Sequence, residues 1–101
     1  MVLVPAAEVV MVEAHGERLT ITTRDQRRHT ILYRLKNLEE RLDPGQFVRL
    51  GRGLIVNFSA IERFVTDRAG TSTVVLNNGQ TLKMSRMQTV RLRRLLQDVL
   101  K

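Results

Sequence analysis

"FVRLGRGLIVNFSAIERF", residues Phe47 to Phe64, sets an arginine between two glycines and follows it with an apolar run ending in asparagine. The run Leu54-Ile55-Val56 reads as a buried strand, and Phe47 to Leu50 reads as another β segment before it. A core strand has no use for a cation between two residues that lack side chains. Gly51 and Gly53 serve either a β-bulge or a tight bend, or they hold Arg52 clear of the scaffold for a partner. Asn57 closes the run, where a short amide satisfies backbone groups better than it meets a ligand.

Outward from this stretch the chain alternates short β segments with turn signals. Residues 8–14 are apolar and β-branched, and His15-Gly16 closes them. "RLTITT" (18–23) alternates with a period of two, placing Leu19, Ile21 and Thr23 on one face and Arg18, Thr20 and Thr22 on the other. Arg24-Asp25-Gln26 makes a polar turn into residues 27–33, which predicts a hairpin. In "YRLKNLEERL" (33–42), Leu35, Leu38 and Leu42 share one helix face, and Asp43-Pro44-Gly45 ends the helix. A helix of about two turns is unstable alone, so its leucines must dock on the sheet. Residues 60–65 are a further apolar segment. "TSTVVLNNGQTLKM" (71–84) predicts a hairpin whose Asn78-Gly79 supplies the two positive φ values of a type I′ turn. Ser85 and Gln88 have capping-box spacing. Leu92, Leu95, Leu96, Val99 and Leu100 then give a helix an apolar side, its first turn being either helix or loop.

The chain has 101 residues, enough for a single core, and no repeat or linker tract divides it. Residues 1–7 are expected to be the remnant of a linker. The absence of cysteine excludes disulfides, thiolate zinc and cysteine nucleophiles, and fits a reducing compartment such as the cytoplasm. No apolar stretch reaches the roughly 20 residues of a membrane span, and the start lacks a basic region before its apolar residues. His15 and His29 have no partner at metal spacing, and the adjacent Glu39 and Glu40 point apart on a helix. No nucleophile elbow, phosphate loop or dinucleotide fingerprint is present. The sequence therefore predicts neither an enzyme nor a cofactor.

Seventeen Lys and Arg against ten Asp and Glu leave a net charge of +7, and all but Lys36, Lys83 and Lys101 of these cations are arginines. Arginine's planar fork suits phosphates and guanine edges. Three arginines stand where a strand yields to a loop: Arg18 after His15-Gly16-Glu17, Arg52 between its glycines, and Arg86 behind Ser85. Taken singly, Arg18 is a solvated strand residue and Arg86 an ordinary first residue of a helix. Their recurrence in a basic chain without a helix-turn-helix pattern points to nucleic acid.

In order and spacing these pieces resemble the LytTR family of bacterial DNA-binding domains over about Glu8 to Leu100. Phe47, Arg49, Arg52, Gly53, Val56, Asn57 and Ile61 match the family's pattern of phenylalanine, arginine, arginine or asparagine, a small residue, valine, asparagine and isoleucine. "YRLKNLEERL" resembles its short helix, "NNGQTLKMSR" its last hairpin, and "VEAHGERLTITTRDQ" its first two strands. The resemblance implies a mainly β fold: an elongated arrangement of small antiparallel sheets, one short internal helix and a C-terminal helical segment. It also implies loops that enter successive major grooves of double-stranded DNA, at paired direct repeats with a second copy alongside. Carried over by position, the contacts are Arg18, Arg52, Arg86 and Met87, with His15 and Gly51 in the same loops. Gly51 stands where relatives are often basic, and Met87 where many carry a second cation. Arg49 and Asn57 are expected to be structural. Such domains are commonly the output half of response regulators, so a sensory or receiver domain is expected upstream in a longer protein. The other readings of the residues are a basic protein-interaction module and a single-strand or RNA-binding β module. The latter is disfavoured by only four aromatics, Tyr33, Phe47, Phe58 and Phe64.

Overall fold

A computed structural model describes residues 4–99. The strands follow the turn signals: β1 Val9–His15, β2 Arg18–Thr23, β3 Arg28–Leu32, β4 Phe47–Gly51, β5 Leu54–Asn57, β6 Ile61–Thr66, β7 Ser72–Leu76 and β8 Thr81–Met84. Two helices join them, α1 Leu35–Arg41 and α2 Arg86–Val99. The protein is mainly β, with two antiparallel sheets ordered β3-β2-β1-β5-β4 and β6-β7-β8. The chain falls into two compact units, Met1–Ala60 and Ile61–Lys101.

In the first unit β1 lies at the centre, paired with β2 on one side and β5 on the other. Val9, Val12, Leu19, Phe47 and Ile55 form its core with Leu35, the buried residue of α1. Leu38 and Leu42 pack against the same cluster, so the leucine stripe docks α1 on the sheet as its spacing predicts. Consecutive residues of β1 and β5 are buried, which explains their unbroken apolar runs. For the same reason the alternation in β2 misleads at Thr22. It is fully buried rather than solvated, and its hydroxyl has no hydrogen-bond partner among the described residues. Of the residues read as a linker remnant, 1–3 lie outside the described residues. Val4 packs against the core and Ala6–Glu8 form a single 3₁₀ turn.

Asn57 sits at the end of β5 with no solvent exposure. Its Nδ2 donates to the Val9 carbonyl at 2.8 Å, and its Oδ1 accepts from the Ser59 amide at 3.0 Å and hydroxyl at 2.9 Å. The amide thus ties the start of β1 to the exit of β5, the structural role its place in the sequence implies.

The second unit buries Val74, Leu76, Met84 and Leu92. Its β7–β8 hairpin forms where expected, but the turn differs. Gly79 has φ +88°, whereas Asn78 does not take a positive φ. The Gly79 amide donates to Leu76 and the Leu76 amide to Gln80, a three-residue loop ending in a left-handed glycine. Asn78 prefers this arrangement because its buried side chain accepts the Gln80 amide at 3.0 Å. At α2 the capping box closes in both directions: the Gln88 amide donates to Ser85 Oγ at 3.2 Å, and the Ser85 amide to Gln88 Oε1 at 2.9 Å. The helix therefore begins at Arg86, which settles its first turn as helical. Ser72 and Thr89 hydroxyls meet at 2.7 Å and fasten α2 to β7. Leu100 lies outside the described residues.

Candidate nucleic-acid interface

One end of the five-stranded sheet brings together the β1–β2 and β4–β5 turns, the two that carry Arg18 and Arg52. His15 pairs with Arg18 across the β1–β2 turn, and Arg18 pairs with Leu32 at the end of β3. The pairing of Glu13 with Leu54 brings the β4–β5 turn to the same end. The β1–β2 turn has two residues and needs a positive φ at the first, which Gly16 supplies at +63°. His15 and Arg18 leave it exposed on neighbouring strands.

Arg52 and Gly53 form the tip of the β4–β5 hairpin, and Arg52 is exposed. Neither flanking glycine takes a left-handed φ, so conformational freedom is not their contribution. Gly53 lies against β1: its carbonyl accepts the Ala14 amide at 2.9 Å, and a Cβ there would stand in contact with Ala14, 3.4 Å from its carbonyl oxygen. Gly51 is half-buried and marks a register shift against β5 after Arg49.

Arg49 is held from three sides. Its Nε donates to the Gly51 carbonyl at 3.0 Å and its Nη2 to the Arg52 carbonyl at 2.8 Å. Its Nη1 faces Glu39 Oε1 on α1 at 3.2 Å. With all three nitrogens engaged inside the unit, Arg49 is structural, as expected from its place in the motif.

Beside the turns lies an open cleft of about 650 Å³. Glu17 and Arg52 line it together with Tyr33, Arg34 and Lys36 from the β3–α1 junction. Arg34 and Lys36 are exposed and flank the buried Leu35. With Leu35 committed to the core, its neighbours are driven outward to solvent. That was the signal available in the sequence, but only the return of β3 to this end of the sheet gives it meaning.

In the second unit Arg86 and Met87 occupy the first turn of α2, both exposed, Met87 at 84%. Gly70 in the β6–β7 turn takes a left-handed φ of +86°, and the Arg86 stem packs beside it. Arg93 donates to the Thr66 hydroxyl at 2.9 Å, joining α2 to β6. In that turn the Asp67 carboxylate accepts from the Thr71 hydroxyl and from the Ala69 and Thr71 amides. These bonds, the Thr71 hydroxyl first, hold Asp67 below the usual carboxylate range. Asp25 in the β2–β3 turn is lowered in the same way, chiefly by the Thr23 hydroxyl.

A model of the LytTr DNA-binding domain matches residues 1–97. The chain belongs to the LytTR family of DNA-binding domains. A solved structure with the same fold is described as the LytTr DNA-binding domain of a methyl-accepting/DNA response regulator from Bacillus cereus. It is 26% identical, with a TM-score of 0.82 over 94% of this chain and 86% of that one. No curated protein matches the sequence. Within this LytTR domain, the anticipated contacts fall into two sets. His15, Arg18, Gly51 and Arg52 share one end of the first unit's sheet, while Arg86 and Met87 belong to the second unit. Among the described residues no three His, Asp or Glu side chains converge as a metal site would need, and no helix is long and apolar enough to cross a membrane.

Proposed function

We propose that this LytTR domain binds double-stranded DNA sequence-specifically, its loops entering successive major grooves, as the cytoplasmic output domain of a bacterial transcription regulator. The observation that carries the reading is the convergence of two exposed, arginine-bearing turns at one end of a rigid sheet. Loops on a rigid scaffold can project into a groove without disturbing the core. Arg52 reads a base edge, with guanine O6 and N7 the best match to its fork. Arg18 and His15 lie beside it on the neighbouring turn. Arg34 and Lys36, across the cleft, supply phosphate contacts that position the reading loop. Gly51 adds none, because it has no side chain and its carbonyl is occupied by Arg49. From the second unit Arg86 provides a second cation, and the exposed Met87 offers apolar contact to a thymine methyl.

Two copies on paired direct repeats, and a sensory or receiver domain upstream in a longer protein, complete the proposal. Single-stranded nucleic acid finds less support, since Phe47 is buried and Tyr33, Phe58 and Phe64 are half-buried, leaving no open stacking platform. Selection from a randomised duplex library tests the reading. One short motif should be enriched, and log K should fall with log salt at about −0.9 per phosphate contact. Enrichment of no motif, or tighter binding to single strands than to duplex, would overturn it.

A further inference from the structure

We infer that Arg49 is a positioning residue for base reading by Arg52, and that Glu39 holds Arg49 in place, which makes helix α1 part of the reading apparatus. The inference rests on the DNA-reading role of Arg52 proposed above.

The two-residue tip is held to β1 at Gly53, whose carbonyl accepts the Ala14 amide, and that bond leaves the preceding residue, Arg52, to be fixed by another group. The register shift after Arg49 interrupts the β4–β5 ladder just before this tip. The carbonyls of Gly51 and Arg52 are instead captured by one guanidinium, through Nε at 3.0 Å and Nη2 at 2.8 Å. Because that group is planar and rigid, it sets two successive carbonyls relative to each other. Two fixed carbonyls determine the orientation of the peptide between them, and with it the direction in which Cα of Arg52 launches its side chain. Base reading by a bidentate fork tolerates about 0.5 Å of displacement. The third nitrogen of Arg49 is anchored on Glu39 at 3.2 Å, so the loop is referenced to α1, whose Leu35 is locked in the core. A lysine at position 49 keeps the charge but cannot bridge two carbonyls and a carboxylate at once.

The test uses the full chain and the duplex selected by it, together with duplexes altered at the base pair assigned to Arg52. Arg52→Ala sets the scale, removing roughly 5- to 150-fold of discrimination at that pair. Arg49→Lys is expected to lose discrimination at the same pair by roughly 5-fold or more, while the salt slope stays at the parental value because the charge is kept. A purely structural role would lower the melting temperature and leave the relative preference among duplexes intact. Glu39→Ala, on the exposed face of α1, should relax the preference in the same direction, and it decides the matter if Arg49→Lys does not fold. Parental preference in a folded Arg49→Lys, or in Glu39→Ala in its stead, overturns the inference while leaving the reading by Arg52 standing. If Arg52→Ala itself keeps the preference, base reading by this loop fails and the positioning role fails with it.

Discussion

Replacing Asn57 with alanine removes three hydrogen bonds from a site with no solvent exposure: the donor to the Val9 carbonyl and the acceptor shared by the Ser59 amide and hydroxyl. Ser59 is exposed, so its two groups can turn to water and lose little. Val9 is 6% exposed, and its carbonyl has no such recourse. At about 1 kcal/mol for each bond, with the buried carbonyl adding its desolvation, the loss comes to about 2–4 kcal/mol. Thermal and urea unfolding followed by circular dichroism should show it, the melting temperature falling by roughly 4–8 °C per kcal/mol. Asn57→Asp separates the two halves of the site. The new carboxylate keeps the acceptor for Ser59 but faces the Val9 carbonyl without a proton. Burial raises its folded pKa, so this variant should be weakest at neutral pH and recover as acid protonates it. A loss below about 1 kcal/mol for Asn57→Ala, or no acid recovery for Asn57→Asp, would refute the reasoning.

Three further outcomes follow from local contacts. Thr22→Val removes the buried hydroxyl that has no partner among the described residues and preserves shape, so it should stabilise the chain by about 1 kcal/mol in urea titration; destabilisation would contradict this. Ser85→Ala removes the acceptor of the Gln88 amide, and α2 should lose about 0.5–2 kcal/mol, read as faster amide exchange in its first turn. Asp25 and Asp67 have lowered folded pKa values, so their stabilisation is present above the unfolded value and disappears as pH falls through the folded one. Stability should therefore decline below about pH 4, and the Asp25→Asn/Asp67→Asn double variant should decline less steeply; matching slopes would count against the turn hydrogen bonds as the cause.

Much of this architecture is legible in the sequence because local signals and tertiary demands agree. The alternation at 18–23, the leucine spacing of α1 and the Ser85–Gln88 box all locate elements that form there. Asn57 is also legible as a structural residue from its place at a strand's end, and Arg49 from its place in the family pattern. What local sequence does not carry depends on what a strand meets in space. Thr22 reads as polar surface, since alternation reports only a period and not whether the second face is covered. Arg34 and Lys36 carry no pattern until the return of β3 brings them to the cleft that Arg52 lines. The division after Ala60 leaves no compositional mark, because a single 3₁₀ turn, Phe58–Ala60, joins β5 to β6 without glycine or proline. Asn78-Gly79 gave the hairpin but not its turn type, which was decided by the Asn78 side chain's own bond to Gln80.

The central claim is that this LytTR domain reads sequence through the side chain at the tip of the β4–β5 hairpin. Competition binding with the selected duplex and its three alternatives at one base pair, for the parent and for Arg52→Ala, addresses it most directly. The parent should prefer one base pair by roughly 1–3 kcal/mol, and Arg52→Ala should bind all four alike while its preferences elsewhere in the site persist. An Arg52→Ala protein that keeps every preference of the parent would contradict the account.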